Sequence, residues 1–331
     1  MQRKPPSVGP DCETGAMKQP STHWSETVGP DEAARHEAFA QTLTKLQTRI
    51  SAKRGPGRAL HRKPVAALVG RLTVPADLPD YAKAGLFAQP GEHEAVMRLS
   101  NGSVVPQSDP IPDIRGFAFS VRGLSGPGAL GFETDRQDFL LINRPAFGFR
   151  DSREFVALVP AAAKGQTALI RHEVKQHGVL RAPLQLAKLG ADLARPFSGF
   201  ASSTFHSCAP VAWGEYAAHV HLVPIGASRN PLALRDWGAD VRDRIERGPL
   251  NWDVRAQFYT DPEHTPIEDG RKPWRAPKVT VARLTATGLA DAAEVEADHF
   301  DPWSALVEHR PLGEIMRARK VAYFPSVQNR S

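Results

Sequence analysis

The chain has 331 residues, of which 41% are hydrophobic and 24% are charged, as in an ordinary globular protein. Its apolar runs never approach the roughly 18 residues that a membrane-spanning helix needs, and its first residues lack the apolar centre of a secretory signal. The net charge of +6 comes from Lys and Arg residues mixed with acids, which argues against a nucleic-acid partner. Two cysteines, Cys12 and Cys208, give no disulfide framework and suit a reducing compartment, so a cytoplasmic protein is predicted.

Residues 1–30 are polar, rich in Pro, Gly and Ser, and aperiodic, so we predict a flexible arm before a single domain over residues 31–331. Residues 31–52 have the apolar spacing of a helix. Short apolar or alternating runs, bounded by Gly, Pro and Asp, then predict a meander of antiparallel strands. These runs are residues 64–74, 95–100, 115–121 and 138–142.

A helical block follows, and it begins at Asp151 with Glu154 three residues on, in the pattern of a capping box. Its predicted helices cover residues 153–163, 167–177 and 184–193. Later strands are predicted over residues 216–225, 252–260 and 278–286, and later helices over 231–247 and 311–322. This succession predicts an α+β fold in which an antiparallel sheet closes into a barrel with surrounding helices.

Tyr323 lies four residues after Arg319, one helical turn away, so the two side chains share a helix face. A nearby guanidinium would favour the phenolate form of tyrosine by charge and hydrogen bonding. Tyrosinate is one of the few side chains that serve as an axial ligand to haem iron. Alone, the pair more often makes a surface contact and nothing more.

Other chemistry-bearing clusters come earlier in the chain. Arg58 and His61 immediately precede the first predicted strand, Arg98 and Ser100 lie on the second, and Asn143 follows the fourth. A lone histidine beside a strand is usually structural or simply exposed. The order of the clusters along the chain is therefore more informative than any one of them.

In that order the motifs resemble those of the haem catalase family, over about residues 54–330. Catalases carry Arg-x-x-His before the first barrel strand, then Arg-Phe-Ser, Asp-x-Arg-Gly-Phe-Ala, Asn-x-Pro-x-Phe with Arg-Asp, Glu-Val-Glu, Phe-Asp-Pro and a final Arg-x-x-x-Tyr. The matching residues here are Arg58 and His61, Arg98 and Ser100, Asp113 to Ala118, Asn143, Pro145, Phe147, Arg150, Asp151, Glu294 to Glu296, Phe300 to Pro302, Arg319, Tyr323 and Arg330.

The resemblance implies a haem b cofactor whose iron is bound by Tyr323, supported by Arg319. It implies that His61 transfers the proton of a peroxide, that Asn143 orients the peroxide by hydrogen bonding, and that Ser100 holds the other imidazole nitrogen. Further haem-binding residues are implied as well: Arg58, Arg98 and Arg330 would meet the propionates, and Phe147 and Phe155 would pack near the porphyrin plane.

The sequence also departs from the catalase pattern. The chain stops eight residues after Tyr323, so we expect it to lack the C-terminal helical domain, the long access channel and the interlocked tetramer of full-length catalases. Arg144 stands where catalases have threonine, and we expect it to place a cation at the pocket rim. Leu60 stands where catalases have valine, and Arg62 and Lys63 replace the small residues after the histidine, so we expect the pocket to be recharged as well. Pro325 is expected to bias Phe324 out of the last helix. We expect these changes to open the pocket and to favour larger hydroperoxides.

The sequence therefore predicts a haem peroxidase that reduces hydrogen peroxide or organic hydroperoxides, with weak catalase activity. One alternative is a fatty-acid hydroperoxide lyase or an isomerase resembling allene oxide synthase. A non-catalytic haem-binding protein is another alternative. Expected partners are a peroxide or lipid hydroperoxide, an unknown reductant and a second copy in a possible homodimer, with no nucleic acid and no membrane span.

Overall fold

The structure is a computed structural model that describes residues 18–103, 106–226, 228, 230 and 235–328, with only the backbone described for residues 323–328. Its strands are β1 (Lys63–Val74), β2 (Gly91–Asn101), β3 (Arg115–Pro127), β4 (Glu133–Ile142), β5 (Phe205–Ser207), β6 (Val211–Trp213), β7 (Tyr216–Ile225), β8 (Leu250–Phe258) and β9 (Lys278–Leu289). Its helices are α1 (Glu32–Arg54), α2 (Ser152–Ala163), α3 (Gln166–Leu193), α4 (Trp237–Arg247), α5 (Ala292–Ala297) and α6 (Glu314–Gln328).

The strands form one antiparallel sheet, in the order β5-β4-β3-β2-β1-β9-β8-β7-β6. The sheet closes because β5 also pairs with β7, with Phe205 opposite Leu222 and His206 opposite His221. Eight strands thus make a barrel, and β6 extends from β7 at the seam. The predicted α+β fold with a closed antiparallel barrel is confirmed.

Alternation along β2 and β3 separates the barrel core from the barrel's outer face. Met97 and Leu99 are fully buried in the main apolar core, and Phe117 on β3 joins them. The residues between these positions point away from that core. Ser100 on β2 pairs with Gly116 on β3, so this outward surface is where the polar motif residues of the two strands meet.

The helices largely follow the predictions. The Asp151 carboxylate accepts hydrogen bonds from the backbone N–H groups of Arg153 (3.0 Å) and Glu154 (3.2 Å), which is the predicted N-terminal cap of α2. The two predicted segments after α2 form one long helix, α3, with a non-helical residue at Gly178. The last helix is longer than predicted, because it continues past Pro325 to Gln328.

The predicted arm of residues 1–30 divides into two parts. Residues 1–17 lie outside the described residues. Residues 18–30 are described, and this segment forms ion pairs with residues near the end of the chain. The Glu26 carboxylate lies 2.7 Å from Arg310 Nη1 and 2.7 Å from Arg317 Nη1, so two cations hold this segment beside the last helix.

Glu314, at the start of α6, joins three helices. Its carboxylate lies 2.8 Å from His36 Nε2 and 3.1 Å from Arg35 Nη1, both on α1, and accepts a hydrogen bond from the Ser152 backbone N–H (2.7 Å) of α2. The side chain is only 9% exposed. This carboxylate therefore fixes α6 against α1 and α2.

A cluster of histidines lies at the barrel seam. His221 on β7 is 4% exposed, and its Nδ1 lies 2.7 Å from His206 Nδ1 on β5. His221 Nε2 lies 3.2 Å from Gln257 Oε1. His219, two residues earlier on β7, has its Nδ1 2.9 Å from Ser207 Oγ. These rings hydrogen-bond to one another and to their neighbours inside the wall of the barrel.

Within the described residues, no helix is both long enough and apolar enough to cross a bilayer.

Candidate active site on the outer face of the barrel

His61 lies in the connection between α1 and β1, in the left-handed backbone region with a φ of 53°. Such a conformation is uncommon outside glycine and must be held by surrounding contacts. The His61 N–H donates to the carbonyl of Gly102 (3.1 Å), and the His61 carbonyl accepts from Arg98 Nη2 (2.9 Å). Both contacts are with β2 or the residue that follows it, so the backbone of His61 is fixed on two sides.

The imidazole of His61 lies over β2 and β3. Its Nδ1 is 3.1 Å from the hydroxyl oxygen of Ser100, a residue only 3% exposed. A β-carbon at Gly116 would lie 2.5 Å from His61 Nδ1 and 2.9 Å from Ser100 Oγ. Position 116 therefore has to be glycine for the ring to sit in this place. Ser100 occupies one imidazole nitrogen, and Nε2 is the nitrogen left for other partners.

Asn143 follows β4 and is tied to β3 by two hydrogen bonds. Its backbone N–H donates to the Arg115 carbonyl (3.0 Å), and its Oδ1 accepts from the Arg115 backbone N–H (2.8 Å). Because Oδ1 is engaged, the side-chain amide is oriented and its N–H groups remain as donors. Arg115 is next to Gly116, so Asn143 and His61 contact neighbouring residues of one strand.

Two buried arginines lie beside His61 and share one carboxylate. Arg98, 3% exposed, donates through both Nε and Nη2 to the Glu296 carboxylate. Arg58, 9% exposed, has its Nε 3.6 Å from the same carboxylate and donates through Nη2 to the Asp298 carbonyl (3.1 Å). Glu296 lies on α5, a helix that sequence periodicity did not predict.

The charge around His61 is positive. Burial, and then the positive charges of Arg98, Arg319 and Arg58 in that order, lower the pKa of His61 to about 3. Among the residues that the structure describes, the charged groups that shift this pKa are all cations. The imidazole is therefore neutral at physiological pH, and an anionic group brought to this surface would be attracted.

Phe147 and Phe155 belong to one aromatic cluster. Their ring centroids are 5.3 Å apart, and Phe149 lies 5.3 Å from Phe147 and 5.2 Å from Phe155. Phe39 of α1 extends the cluster, with its ring 6.0 Å from that of Phe155. The two predicted phenylalanines are thus brought together, in contact with the helix that precedes His61.

Arg319 lies on α6 and donates to the sulfur of Met316 (3.9 Å), and its charge reaches both His61 and Cys208. The backbone of Tyr323 continues this helix one turn later, which keeps the predicted spacing. The side chain of Tyr323 is outside the described part of the chain, and so is the whole of Arg330. The roles predicted for these two residues therefore remain predictions.

The expectation that Arg144 presents a cation at the pocket rim is wrong. Arg144 is 4% exposed, and its guanidinium donates to the Leu193 carbonyl (3.2 Å) at the end of α3 and lies 3.9 Å from Asp192. Similarly, Lys63 pairs with Asp109 and is not part of a recharged pocket. Both cations serve the structure of the barrel and its helices.

A second cluster, at the junction of α1 and α6, has the geometry of a possible metal site. Ligand atoms of Glu32, His36 and Glu314 lie within 4.8 Å of one another. However, Arg317 Nε lies 2.8 Å from Glu32 and Arg35 Nη1 lies 3.1 Å from Glu314. Guanidinium groups thus already supply the positive charge, and the cluster is an ion-pair network between helices.

Three residues contribute to the site in ways that motif reading did not assign. Gly116 provides the space beneath the imidazole, Arg115 orients Asn143 through its backbone, and Glu296 pairs with the two arginines. All three lie within motifs that carry the catalase resemblance, Asp-x-Arg-Gly-Phe-Ala and Glu-Val-Glu. The signal was therefore present in the sequence, but the role of each residue depends on packing.

Comparison with solved structures identifies the architecture. A fungal catalase aligns with a TM-score of 0.65 and 18% identity, over 86% of this chain and 61% of that protein. Catalase A from Saccharomyces cerevisiae aligns with a TM-score of 0.64 and 18% identity, over 86% of this chain and 63% of that protein. A bacterial catalase aligns with a TM-score of 0.62 and 16% identity, over 99% of this chain and 67% of that protein. The fold is catalase-like.

Sequence comparison gives no further identification, because no family model and no curated protein matches the chain. The chain spans a little over three-fifths of the two eukaryotic catalases that it resembles in structure. At 16–18% identity the likeness extends to the fold. What the site does must be argued from its own residues.

Proposed function

We propose that this protein binds haem b on the outer face of its barrel and uses it to activate peroxides, as a catalase-like peroxidase. The observation that carries the proposal is the His61 imidazole, neutral and fixed over Ser100 and Gly116 within a group of arginines. A catalase-like fold is consistent with this reading. An imidazole with one engaged nitrogen and one remaining nitrogen is suited to proton transfer.

The residues of the site fit a haem group chemically. Haem carries two carboxylates. Besides burial, the groups that lower the pKa of His61 are arginines. Arginine suits carboxylates because it can donate two parallel hydrogen bonds. Arg58, Arg98 and Arg330 would hold these carboxylates, and Arg58 and Arg98 would have to share themselves between haem and their present partner, Glu296. Tyr323, supported by Arg319, would bind the iron. When bound, haem supplies the iron at which the O–O bond of a peroxide is cleaved.

His61 would act as both base and acid. Its Nε2 would take the proton from the oxygen of the hydroperoxide that approaches the cofactor and return it to the departing oxygen, which leaves as water or an alcohol. The side-chain N–H groups of Asn143 would donate to the peroxide oxygens as negative charge develops on them. In the complete reaction, a hydroperoxide and a two-electron reductant give an alcohol, water and the oxidised reductant.

The low pKa of His61 has a direct consequence for the pH dependence of the reaction. Burial and three neighbouring arginines hold this pKa at about 3, so the base form is present throughout the neutral and mildly acidic range. We expect the rate of peroxide activation to be independent of His61 protonation above about pH 5.

The decisive experiment compares the haem-loaded protein with His61→Ala. Stopped-flow mixing with peroxide should give a spectral change of the haem that is about 10²–10⁴-fold slower in the variant, with haem content unchanged. His23→Ala is the matched control, because it removes an exposed histidine that lies 38 residues before His61 in the sequence. An undiminished rate in His61→Ala would mean that His61 is structural and that the proposal fails.

The substrate class is tested by steady-state kinetics with hydrogen peroxide, cumene hydroperoxide and linoleate hydroperoxide. Reductant oxidation with any of them supports a peroxidase, and oxygen release from hydrogen peroxide measures the catalase activity. Rearranged or cleaved products of the linoleate hydroperoxide, formed without reductant, would support the lyase or isomerase alternative. Haem binding with no turnover of any peroxide would indicate a non-catalytic haem protein. The cytoplasmic location and the homodimer remain predictions.

A further inference from the structure

The second half of α3 carries apolar side chains that nothing in the described structure covers. After the non-helical residue Gly178, Leu180 is 92% exposed, Val179 is 72% exposed and Leu184 is 69% exposed. Isolated exposed apolar residues are common, but three large ones within six residues form a contiguous patch. The patch lies at the beginning of this half-helix.

This half-helix is apolar on two opposite sides. Ala182 is fully buried, and leucines at helical spacing continue its inward side toward the end of α3. The outward side repeats the same spacing with exposed residues. These residues, called here the outward stripe, are Leu180, Leu184, Ala187 and Ala191. A helix that is apolar on both sides normally has a partner on each of them.

The segment around the stripe is strongly basic. Residues 164–195 contain six Lys and Arg residues and two acids. Glu173 is buried and lies 3.5 Å from His177, and Asp192 is paired with Arg195 at 2.8 Å. Five exposed cations of the segment form no ion pair with any residue that the structure describes: Lys164, Arg171, Lys175, Arg181 and Lys188.

Two of these cations flank the stripe. Arg181 and Lys188 are seven residues apart, two helical turns, so they lie on one side of the helix next to Leu180 and Leu184. An exposed apolar stripe bordered by long basic side chains is the pattern of helices that lie in the plane of a lipid interface. The methylene stems of Arg and Lys can extend along apolar surface while their charges reach the headgroups.

We propose that the outward stripe of α3 docks on a lipid surface that contains anionic headgroups. A second copy of the chain is a less suitable partner, because a two-fold interface would bring Arg181 and Lys188 toward the same residues of the other copy. Lysine is also depleted in the interiors of protein interfaces. The docking surface does not depend on haem binding or on the proposed reaction.

The end of α3 that is remote from the exposed patch contacts a strand of the candidate active site. The last turn of α3 is attached to the strand end that carries Asn143, since the next residue, Arg144, donates to the Leu193 carbonyl (3.2 Å).

The test is flotation of the purified full chain with two kinds of vesicle, phosphatidylcholine alone and phosphatidylcholine with about a third phosphatidylglycerol. We expect binding to the anionic vesicles only, decreasing as salt is added. Leu180→Gln/Leu184→Gln should lower the binding constant by about tenfold or more, because both side chains lose apolar burial in the interface. Arg181→Gln/Lys188→Gln should lower it by about tenfold through lost attraction to the headgroups.

The control variant is Lys45→Gln/Arg49→Gln, which removes two exposed charges with the same helical character from α1. It should bind the anionic vesicles as the unaltered protein does. Circular dichroism of every variant establishes that the helices are intact. Absence of binding by the unaltered protein, or full binding by Leu180→Gln/Leu184→Gln, would overturn the proposal. So would a dimer that this variant converts to a monomer without any vesicle binding, because the stripe would then be an interface between copies.

Discussion

Replacing Gly116 by alanine is the sharpest test of the geometry around His61. The new β-carbon would lie 2.5 Å from His61 Nδ1, 2.6 Å from Cε1 and 2.9 Å from Ser100 Oγ. Non-bonded heavy atoms of this kind normally stay about 3.5 Å apart, so something must move by about 1 Å. The backbone of β3 has little freedom to move, because Gly116 pairs with Ser100 on one side and Ile142 on the other.

The displacement should therefore fall on the imidazole. The backbone of His61 is held by Gly102 and Arg98, so the ring can only tilt away from Ser100 and lose that hydrogen bond. Moving a reacting group by about 1 Å costs on the order of 10²-fold in rate. The strain should also lower the free energy of unfolding by about 1–3 kcal/mol.

The assay is the rate of the peroxide-driven spectral change in haem-loaded Gly116→Ala, followed by stopped-flow. Gly190→Ala is the matched control, because a β-carbon at Gly190 meets nothing within 4 Å. We expect the control to react as the unaltered protein does. If Gly116→Ala retains its haem and reacts at the original rate, the position of the His61 ring does not govern the chemistry and the reasoning is refuted.

Three further predictions concern the cofactor, the helix junction and pH. Tyr323→Phe should remain folded yet lose most haem absorbance; an unchanged haem spectrum would exclude Tyr323 as the iron ligand. Glu314→Gln should lower the free energy of unfolding by about 3 kcal/mol in urea titrations, because it breaks a buried ion-pair network, whereas the exposed Glu263→Gln should have almost no effect. Burial, and then the charge of Lys278, lower the pKa of His221 to about 2, so the unfolded chain binds more protons below about pH 6.5. The free energy of unfolding should therefore fall as the pH decreases below that value, by up to about 1.4 kcal/mol per pH unit for this histidine. In His221→Gln the free energy of unfolding should depend less steeply on pH. An equal slope in the variant and the unaltered protein would contradict this prediction.

Most of the barrel could be predicted from the sequence because its strands alternate strongly. The apolar residues that the core buries recur at every second position, as Met97 and Leu99 do on β2 and Phe117 and Phe119 do on β3, and the apolar runs that contain them were visible without any structure. β5 and β6 have three residues each and are defined by their pairing with β7, so no local pattern could reveal them. The continuation of α6 past Pro325 also departs from the local expectation, because proline lacks the N–H that would donate to the carbonyl four residues earlier and disfavours helix in the residue before it.

The sequence indicated which residues come together around His61 better than it indicated how they pack. The contact between His61 and Ser100 was anticipated through the resemblance to catalases, and the structure brings the two side chains together. Arg144 was misjudged because a position in a motif does not give the direction of a side chain, and the end of α3 offered it a carbonyl partner. Gly116 could be recognised only as part of a motif, because its importance lies in the space that it leaves for the His61 ring, 55 residues earlier in the sequence.

The attachment of α6 to the first part of the chain has a consequence for how the protein matures. Arg317 of α6 bonds to Glu26, 291 residues earlier, and to Glu32, 285 residues earlier. Contacts at such separations form late and make folding slow, since a long loop must close before they stabilise anything. A ribosome-bound chain can therefore close its barrel while the helix that carries Tyr323 is still missing. Under the proposed function, haem capture by Tyr323 would follow closure of the barrel, so the haem supply would limit the yield of loaded molecules without limiting synthesis of the barrel.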